Sequence, residues 1–532
     1  MTNDCLRPPD AKVDMAEGGT LPTRRGVLSG MAGVAIGSVI SAPTFAKTGG
    51  SDLAFVSASE AADAVRRRTT SSVELTRLML ERIERLNPQL NAVVNVLTEP
   101  ALAEARARDS VSRGGQKGPL HGVPILVKDC FEIAGVPTTA GIEQLKDYRP
   151  ASDAPVVQRL RAAGAVVLGN TNVPFVLNDW QSYNKIYGAT KNPWDVTRTP
   201  GGSSGGSAAA LAAGLGYLSP GSDLSGSIRV PAHFCGVYGH KPSLNVVPYS
   251  RSFPTPPGGP PELPSMLAVA GSLARSAGDL KLAMEVLGGP EAGEAVAYRW
   301  RMPAPRRERL KDYRVGYVLD DPSCPVDAPA RKVMESAIDA LRAAGVQLRE
   351  GWPAGVDPRA QHRTYLYLLL SGLGLPPGLN PEVLKPAALR DDGSMDSIFA
   401  QTVLDPHSRW VERERNQVSA RIAWQAAFKD CDVFLAPTCF VAAFPHDSSE
   451  PQGARRLATS AGARPYLDLI FWNTFATLAG LPSTAAPVGL SAQGLPVGVQ
   501  IIGPYLEDAT SIDFAARMAD VVGGFVPPPG YA

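Results

Sequence analysis

The chain has 532 residues, 44% of them hydrophobic and 19% charged, so it carries enough apolar material for a large buried core and reads as globular rather than disordered or fibrous. Lys and Arg together number 52 against 51 for Asp and Glu, and no basic stripe with interleaved aromatics occurs; this excludes an electrostatic nucleic-acid footprint and favours a small-molecule partner. The six cysteines, Cys5, Cys130, Cys235, Cys324, Cys431 and Cys439, form no CxxC pair and no zinc-like spacing with histidine, so they read as free thiols, with Cys431 and Cys439 the pair to watch.

From the N-terminus, a polar stretch through Thr20 gives way to Thr23-Arg24-Arg25-Gly26-Val27-Leu28 and then to an apolar Gly/Ala-rich run ending at Val39. That order fits a twin-arginine export signal. The run is shorter than the ~20 residues of a stable membrane span, so no lasting insertion is expected. Thr44-Phe45-Ala46 places small residues at the cleavage positions. Residues 1–46 are therefore expected to be removed after Ala46, with 47–52 a linker, 53–525 the folded domain, and the product periplasmic or secreted. Asp10, Asp14 and Glu17 weigh toward the other reading, a solvated tail on a cytoplasmic protein.

The first strong helix opens at Ser71-Ser72-Val73-Glu74, a capping box, and carries Leu75, Leu78, Met79, Ile83 and Leu86 at helical spacing until Asn87-Pro88 is expected to end it. Val123 to Val127 is an apolar, β-branched run expected to be a strand buried on both faces, and it ends directly in Lys128-Asp129. Asp153 is expected to cap a helix bearing Val156, Val157 and Leu160, closed by Gly164, with a second buried strand over Ala165 to Leu168. The rhythm returns later with a strand at Arg314 to Val318, a helix capped by Asp327, and a strand at Gly345 to Leu348. This alternation predicts an α/β fold with a mixed, mostly buried sheet. Phe253 to Leu267 and Gly351 to Pro358 read as surface loops, and the apolar helical runs Tyr365 to Leu370 and Ile422 to Phe428 are expected to cover a pocket.

Chemistry concentrates in two Gly/Ser turns, Gly201-Gly202-Ser203-Ser204-Gly205-Gly206-Ser207 and Gly221-Ser222-Asp223-Leu224-Ser225-Gly226-Ser227-Ile228-Arg229. Glycine lets the backbone expose amide N–H groups and serine supplies a nucleophile, donor or acceptor; one such loop alone is more often a linker or an anion nest, but two framed by buried strands and helices point to a site. Gly201 to Gly205 formally matches G-x-S-x-G, and histidines follow it, but the residues before Ser203 read as turn rather than the strand a nucleophile elbow needs. Ser182-Tyr183-Asn184-Lys185 matches S-x-x-K, yet Lys47-Thr48-Gly49 lies on the wrong side of it for a penicillin-recognising enzyme. No HExxH or similar histidine pair suggests a metal.

The segment Gly201 to Arg229, with Phe234-Cys235-Gly236 and Lys241-Pro242-Ser243 after it, resembles the amidase signature. So do Asn91-Ala92, His121-Gly122-Val123-Pro124, Val127-Lys128-Asp129, Gly188-Ala189-Thr190, Asn192-Pro193-Trp194, Asp432 to Thr438, Gly480-Leu481-Pro482 and Gly494 to Gln500, a coverage from about Leu53 to near Asp520. The resemblance implies a single large α/β domain with a central mixed sheet covered by helices. It implies Ser227 as nucleophile, Ser203 as a proton bridge after a cis peptide, and Lys128 as base. It implies an oxyanion hole from the N–H groups of Leu224, Ser225 and Gly226, held by Asp223 and Arg229. A lysine serves as base only when neutral, which desolvation at the end of an apolar strand promotes. Ser225 departs from the family, which has glycine there; if that position needs positive φ or tight clearance, the hole is altered.

The implied reaction is acyl transfer to Ser227 from a small-molecule amide, aryl, aliphatic, cyclic or oligomeric, needing no metal or organic cofactor and no nucleic acid, with monomer and homodimer both open. The family also holds the glutaminyl-tRNA amidotransferase subunit, against which the export-like leader and balanced charge speak. A non-catalytic binding protein that kept the fold is opposed by the intact Lys128, Ser203 and Ser227.

Overall fold

Eleven strands carry the core of the computed structural model, which describes residues 53–112, 115–258, 265–372 and 378–532. The expected leader and linker, with Cys5 and part of the loop after Phe253, lie outside the described residues. Strands β1 (Val93–Val96), β2 (Pro124–Lys128) and β3 (Val166–Thr171) form one small sheet in the order β1-β3-β2, with β2 and β3 parallel and β1 antiparallel. The large sheet contains β4 (Leu218–Asp223), β5 (Tyr238–Lys241), β6 (Val269–Ala274), β7 (Arg314–Tyr317), β8 (Gln347–Glu350), β9 (Val433–Pro437), β10 (Ser483–Leu490) and β11 (Pro496–Ile502). Its order is β8-β7-β9-β11-β10-β5-β6-β4; the pairs β8/β7 and β7/β9 are parallel and the rest antiparallel. The fold is thus α/β around a central mixed sheet, and the apolar runs are where burial demands them: every residue of β2, β3, β4, β6, β9 and β11 is buried.

Helices cover these sheets. Helix α1 (Ser72–Leu90) opens on the expected capping box, Ser71 Oγ accepting from Glu74 N and the Glu74 carboxylate accepting from Ser71 N at 2.7 Å. It runs three residues past Asn87, with Pro88 inside its last turn. Proline removes one donor there, while the Asn87 side chain compensates by bonding Ala92 N, Val93 N and Val93 O, tying the helix end to β1. Helix α2 (Pro155–Ala162) is not capped by Asp153: its N-cap is Ala154, and the Asp153 carboxylate accepts from Ala134 N and pairs with Arg161 at 3.0 Å. Helices α3 (Gly205–Ala212) and α4 (Arg229–Cys235) each follow one of the Gly/Ser turns.

Asp327 stands at the N-cap of α5 (Ala328–Ala343), but its carboxylate accepts from Ser460 N and Oγ instead of the helix. Helix α6 (Pro358–Ser371) is capped by Asp357 and buries most of Thr364 to Leu370. Helix α7 (His407–Ala427) buries Trp424 and leaves Ile422 64% exposed, while Ala426 and Ala427 of the Ile422 to Phe428 run line a cavity beside Trp352 and Phe434. Helix α8 (Asp508–Val522) packs on the sheet at the end of the chain. Among the described residues, no helix is long and apolar enough to cross a membrane, and five cysteines are free thiols, four of them buried.

Candidate active site

Lys128 is the last residue of β2, fully buried, and its Nζ is held by Ser203 Oγ at 2.7 Å, Ser222 Oγ at 2.9 Å and Ser222 O at 3.4 Å. Burial pushes this ammonium down to about 8 against the opposing pull of Cys130 and Asp223, because the charge is taken out of solvent and no carboxylate touches it directly to offset the cost. The direction of the chain beyond β2 is fixed by Asp129, whose carboxylate accepts from Thr139 N and Asn170 Nδ2 at 3.0 and 3.1 Å.

Ser203 is presented by the first Gly/Ser turn, and the Gly202–Ser203 peptide is cis. A β-carbon at Gly202 would lie 2.3 Å from Asp179 O, so the backbone approach that delivers Ser203 admits no side chain there. The turn is braced by Ser182, which donates to Gly201 O and accepts from Gly205 N; Lys185 of the apparent S-x-x-K is exposed and away from it. No strand leads into Ser203, which removes the nucleophile-elbow reading.

The second turn spans the gap between β4, ending at Asp223, and α4, starting at Arg229. Asp223 and Arg229 form a fully buried pair at 2.8 Å. The carboxylate also accepts from Gly226 N at 2.9 Å, Ile228 N at 3.1 Å and Arg229 Nε at 3.0 Å, while the guanidinium's other N–H groups reach Gln500 Oε1, Thr477 Oγ1 and Asn473 O. Burial alone would raise the Asp223 carboxyl; the adjacent guanidinium and its N–H bonds hold it at about 2. The Gly226 N–H, one of the three expected oxyanion donors, is thereby engaged by Asp223.

At Ser225 the condition for an altered hole, positive φ, is not met. That residue has an ordinary negative φ, and the residue that needs glycine is Gly226, at φ 93 with a hypothetical β-carbon 2.5 Å from Asn473 Cγ. The Ser225 hydroxyl meets Tyr365 Oη at 2.6 Å, Tyr365 Oη donates to Leu224 O at 2.8 Å, and Trp180 Nε1 donates to Ser225 O at 2.9 Å. Ser227 is half-buried, and its carbonyl accepts from Ser204 N at 3.0 Å, which ties the two turns together.

Ser203, Ser222, Ser225, Ser227 and Leu224 open on one cavity of about 440 Å³. Its walls are mainly apolar, from Trp180, Phe253, Leu369, Leu370, Leu467 and Ile470, with Tyr249 and Asn178 beside them. Among the described residues, Asp179 is the charged group of the wall, and it is neutralised: Arg455, itself buried, pairs with it at 2.6 Å, and the Tyr466 hydroxyl donates to it. None of the described histidines lines this cavity; His233 and His240 are buried in backbone and Asp508 contacts elsewhere.

The structure thus gathers Ser203, Ser227, Leu224 and Ser225 at one cavity, with Lys128 bonded to Ser203 behind it and Gly226, Asp223 and Arg229 behind the second turn. The Tyr365 to Leu370 run covers the pocket as expected, through Leu369 and Leu370, but the bond of Tyr365 to the loop, and the parts of Trp180, Asn473 and Thr477, escaped the sequence reading. Ser222 sat inside the Gly/Ser turn as a signal; Trp180 is too distant in sequence from the second turn to have left one.

A family model described as Amidase matches residues 74–512. A glutamyl-tRNA(Gln) amidotransferase subunit of Anaeromyxobacter dehalogenans is 34% identical over 501 residues, covering 88% of this chain and 97% of that protein. An indoleacetamide hydrolase of Bradyrhizobium diazoefficiens is 33% identical over 485 residues, covering 88% of this chain and 86% of that protein. Among solved structures, a 6-aminohexanoate cyclic dimer hydrolase superimposes with a TM-score of 0.71 at 26% identity, over 90% of this chain and 99% of that one.

Proposed function

The chain belongs to the amidase signature family, and on that premise we propose that it is a serine amide hydrolase working through an acyl-enzyme on Ser227. The observation that carries this is the 2.7 Å contact of a fully buried lysine with Ser203, beside Ser227 on the floor of an apolar cavity. Neutral Lys128 takes the Ser203 proton as Ser203 takes the Ser227 proton, and the Ser227 oxygen bonds to the amide carbonyl carbon. The carbonyl electron pair moves onto oxygen, facing the N–H groups of Leu224 and Ser225; one such donor is worth roughly 2.7 to 4 kcal/mol in the transition state. When the C–N bond breaks, the proton travels back through Ser203 to the departing amine. Water then repeats the sequence on the ester, releasing acid and Ser227. No step calls for a metal or organic cofactor.

The wall composition supports an uncharged substrate with an apolar acyl or aryl group, since Asp179 is already paired with Arg455 and a free charge would enter without a partner. This weighs against glutamine as amide donor and therefore against the amidotransferase reading that the first relative's name raises. Export of the mature protein after Ala46 belongs to the same proposal. The test is amine release from a panel of neutral anilides and alkyl amides by the parent chain and Ser227→Ala, with fluorophosphonate labelling followed by mass spectrometry. Release and labelling at Ser227 by the parent, both absent from the variant, are expected. Release that persists in Ser227→Ala would overturn the assignment.

A further inference from the structure

Tyr365 lies on α6, remote in sequence from both Gly/Ser turns, yet its hydroxyl reaches two consecutive residues of the loop before Ser227. It donates to Leu224 O at 2.8 Å, which leaves its lone pairs to accept the Ser225 hydroxyl at 2.6 Å. Trp180 Nε1 holds the next carbonyl, Ser225 O, at 2.9 Å. In a trans peptide the C=O and the following N–H point opposite ways, so pinning Leu224 O fixes the direction of the Ser225 N–H, and pinning Ser225 O directs the Gly226 N–H toward the Asp223 carboxylate it meets at 2.9 Å. Tyr365 is fully buried, so bulk solvent does not compete for its hydroxyl.

The same helix supplies the cavity wall. Leu369 lies one turn beyond Tyr365 on the same face of α6, with Leu370 next to it, and both line the cavity over Ser227. A group seated against Leu369 therefore bears on the element that sets the loop.

We propose that Tyr365, with Ser225 as its partner, is the positioning residue that holds the oxyanion loop of this enzyme and couples it to the substrate-contacting wall of α6. The proposal rests on the amide-hydrolase reading for its catalytic consequence, though not for the existence of the clamp. It also gives the serine at 225 a use: it supplies the proton that the Tyr365 oxygen accepts while that hydroxyl donates to Leu224 O.

The experiment compares the full chain with Tyr365→Phe, Ser225→Ala and the double variant by two readouts. Steady-state kinetics on a neutral anilide should show kcat of Tyr365→Phe reduced roughly ten- to a hundredfold, with KM within about threefold, since a donor is misdirected rather than removed. Ser225→Ala should lose less, because Leu224 O keeps its donor. The double variant should match Tyr365→Phe, because Ser225 acts only through Tyr365. Hydrogen–deuterium exchange should show faster exchange confined to peptides covering Leu224 to Ile228, a change that needs no turnover to be seen. Unchanged kcat together with unchanged loop exchange in Tyr365→Phe would overturn the proposal, as would additive losses in the double variant. Should Tyr365→Phe not fold, Ser225→Ala carries the test, with faster loop exchange expected and unchanged exchange counting against the clamp. If the parent hydrolyses nothing and matches Ser227→Ala, the hydrolase reading has failed, and the exchange data alone decide on the clamp.

Discussion

Replacing Lys128 by methionine should abolish turnover and yet improve stability near neutral pH relative to high pH. The lysine is fully buried and its ammonium is held at about 8 against an ordinary value of 10.5, so the folded chain releases the proton more readily than the unfolded one. Because the folded value is the lower, the protonated form is what folding disfavours: the penalty is full below pH 8 and fades as pH rises toward 10.5. That gap costs the folded state about 3 kcal/mol at pH 7 and under about 1 kcal/mol at pH 10. Methionine removes the penalty but also the hydrogen bonds to Ser203 and Ser222, each worth about 1 kcal/mol. The quantity to measure is therefore how the stability difference between parent and Lys128→Met changes between pH 7 and pH 10, by urea denaturation shown to be reversible. A change of about 2 kcal/mol or more, with the variant relatively better at pH 7, is expected. A difference that does not move with pH would refute the claim that burial, rather than a hidden charged partner, sets this lysine.

Other consequences are as direct. kcat/KM for an anilide should climb roughly tenfold between pH 7 and pH 9 and then level as Lys128 loses its proton; a flat profile over that range would exclude it as the base. Arg229→Met should destabilise the protein by about 3 to 5 kcal/mol by stranding the Asp223 carboxylate, and adding Asp223→Asn should restore part of that in a thermal or urea melt. Gly226→Ala should cost at least about 1 to 2 kcal/mol and most of the activity, since its φ of 93 and the nearby Asn473 side chain oppose a β-carbon; a variant as stable and active as the parent would contradict the loop geometry. Protein recovered from a producing cell should begin at Lys47 and sit outside the cytoplasm, whereas full-length cytosolic chain alone would end the export proposal.

The features legible in the sequence share a physical basis: the relevant contacts are local, or the burial is written into a run. Lys128 stood out because five consecutive apolar residues lead into it, and the structure buries every residue of that strand. Asp223 and Arg229 flank one short turn, and their pairing needs only the turn to close. What was left open or missed has the opposite character. At Ser225 the sequence left open whether the backbone needed positive φ or tight clearance, and no local rule could show Tyr365, 140 residues away, that gives its hydroxyl a partner. Asp153 and Asp327 carry the right side chains at the right helix ends, yet donors from other segments claim their carboxylates. The Ile422 to Phe428 run has helical apolar spacing but faces solvent with Ile422 and core with Trp424, a choice made by tertiary packing.

Electrostatics alone would point to a different lysine from the one in the proposed mechanism. Burial lowers Lys241 further than Lys128, to about 7, and Lys241 shares the neighbourhood of Asp223 and Arg229. By proximity to neutral pH it is the better base. But its Nζ donates to Pro242 O, and it does not line the cavity, whereas Lys128 touches the hydroxyl of Ser203, which does. Both lysines are driven toward neutrality by burial, and Asp223 cannot hold their charge firmly because its oxygens are engaged by Arg229 and by the loop's own N–H groups. The arginine, its N–H groups satisfied on Asp223, Gln500, Thr477 and Asn473, fixes the loop; in the proposed mechanism the lysine that touches a cavity serine carries the proton transfer. In the proposed mechanism geometry selects the residue, and burial makes that residue able to act as a base.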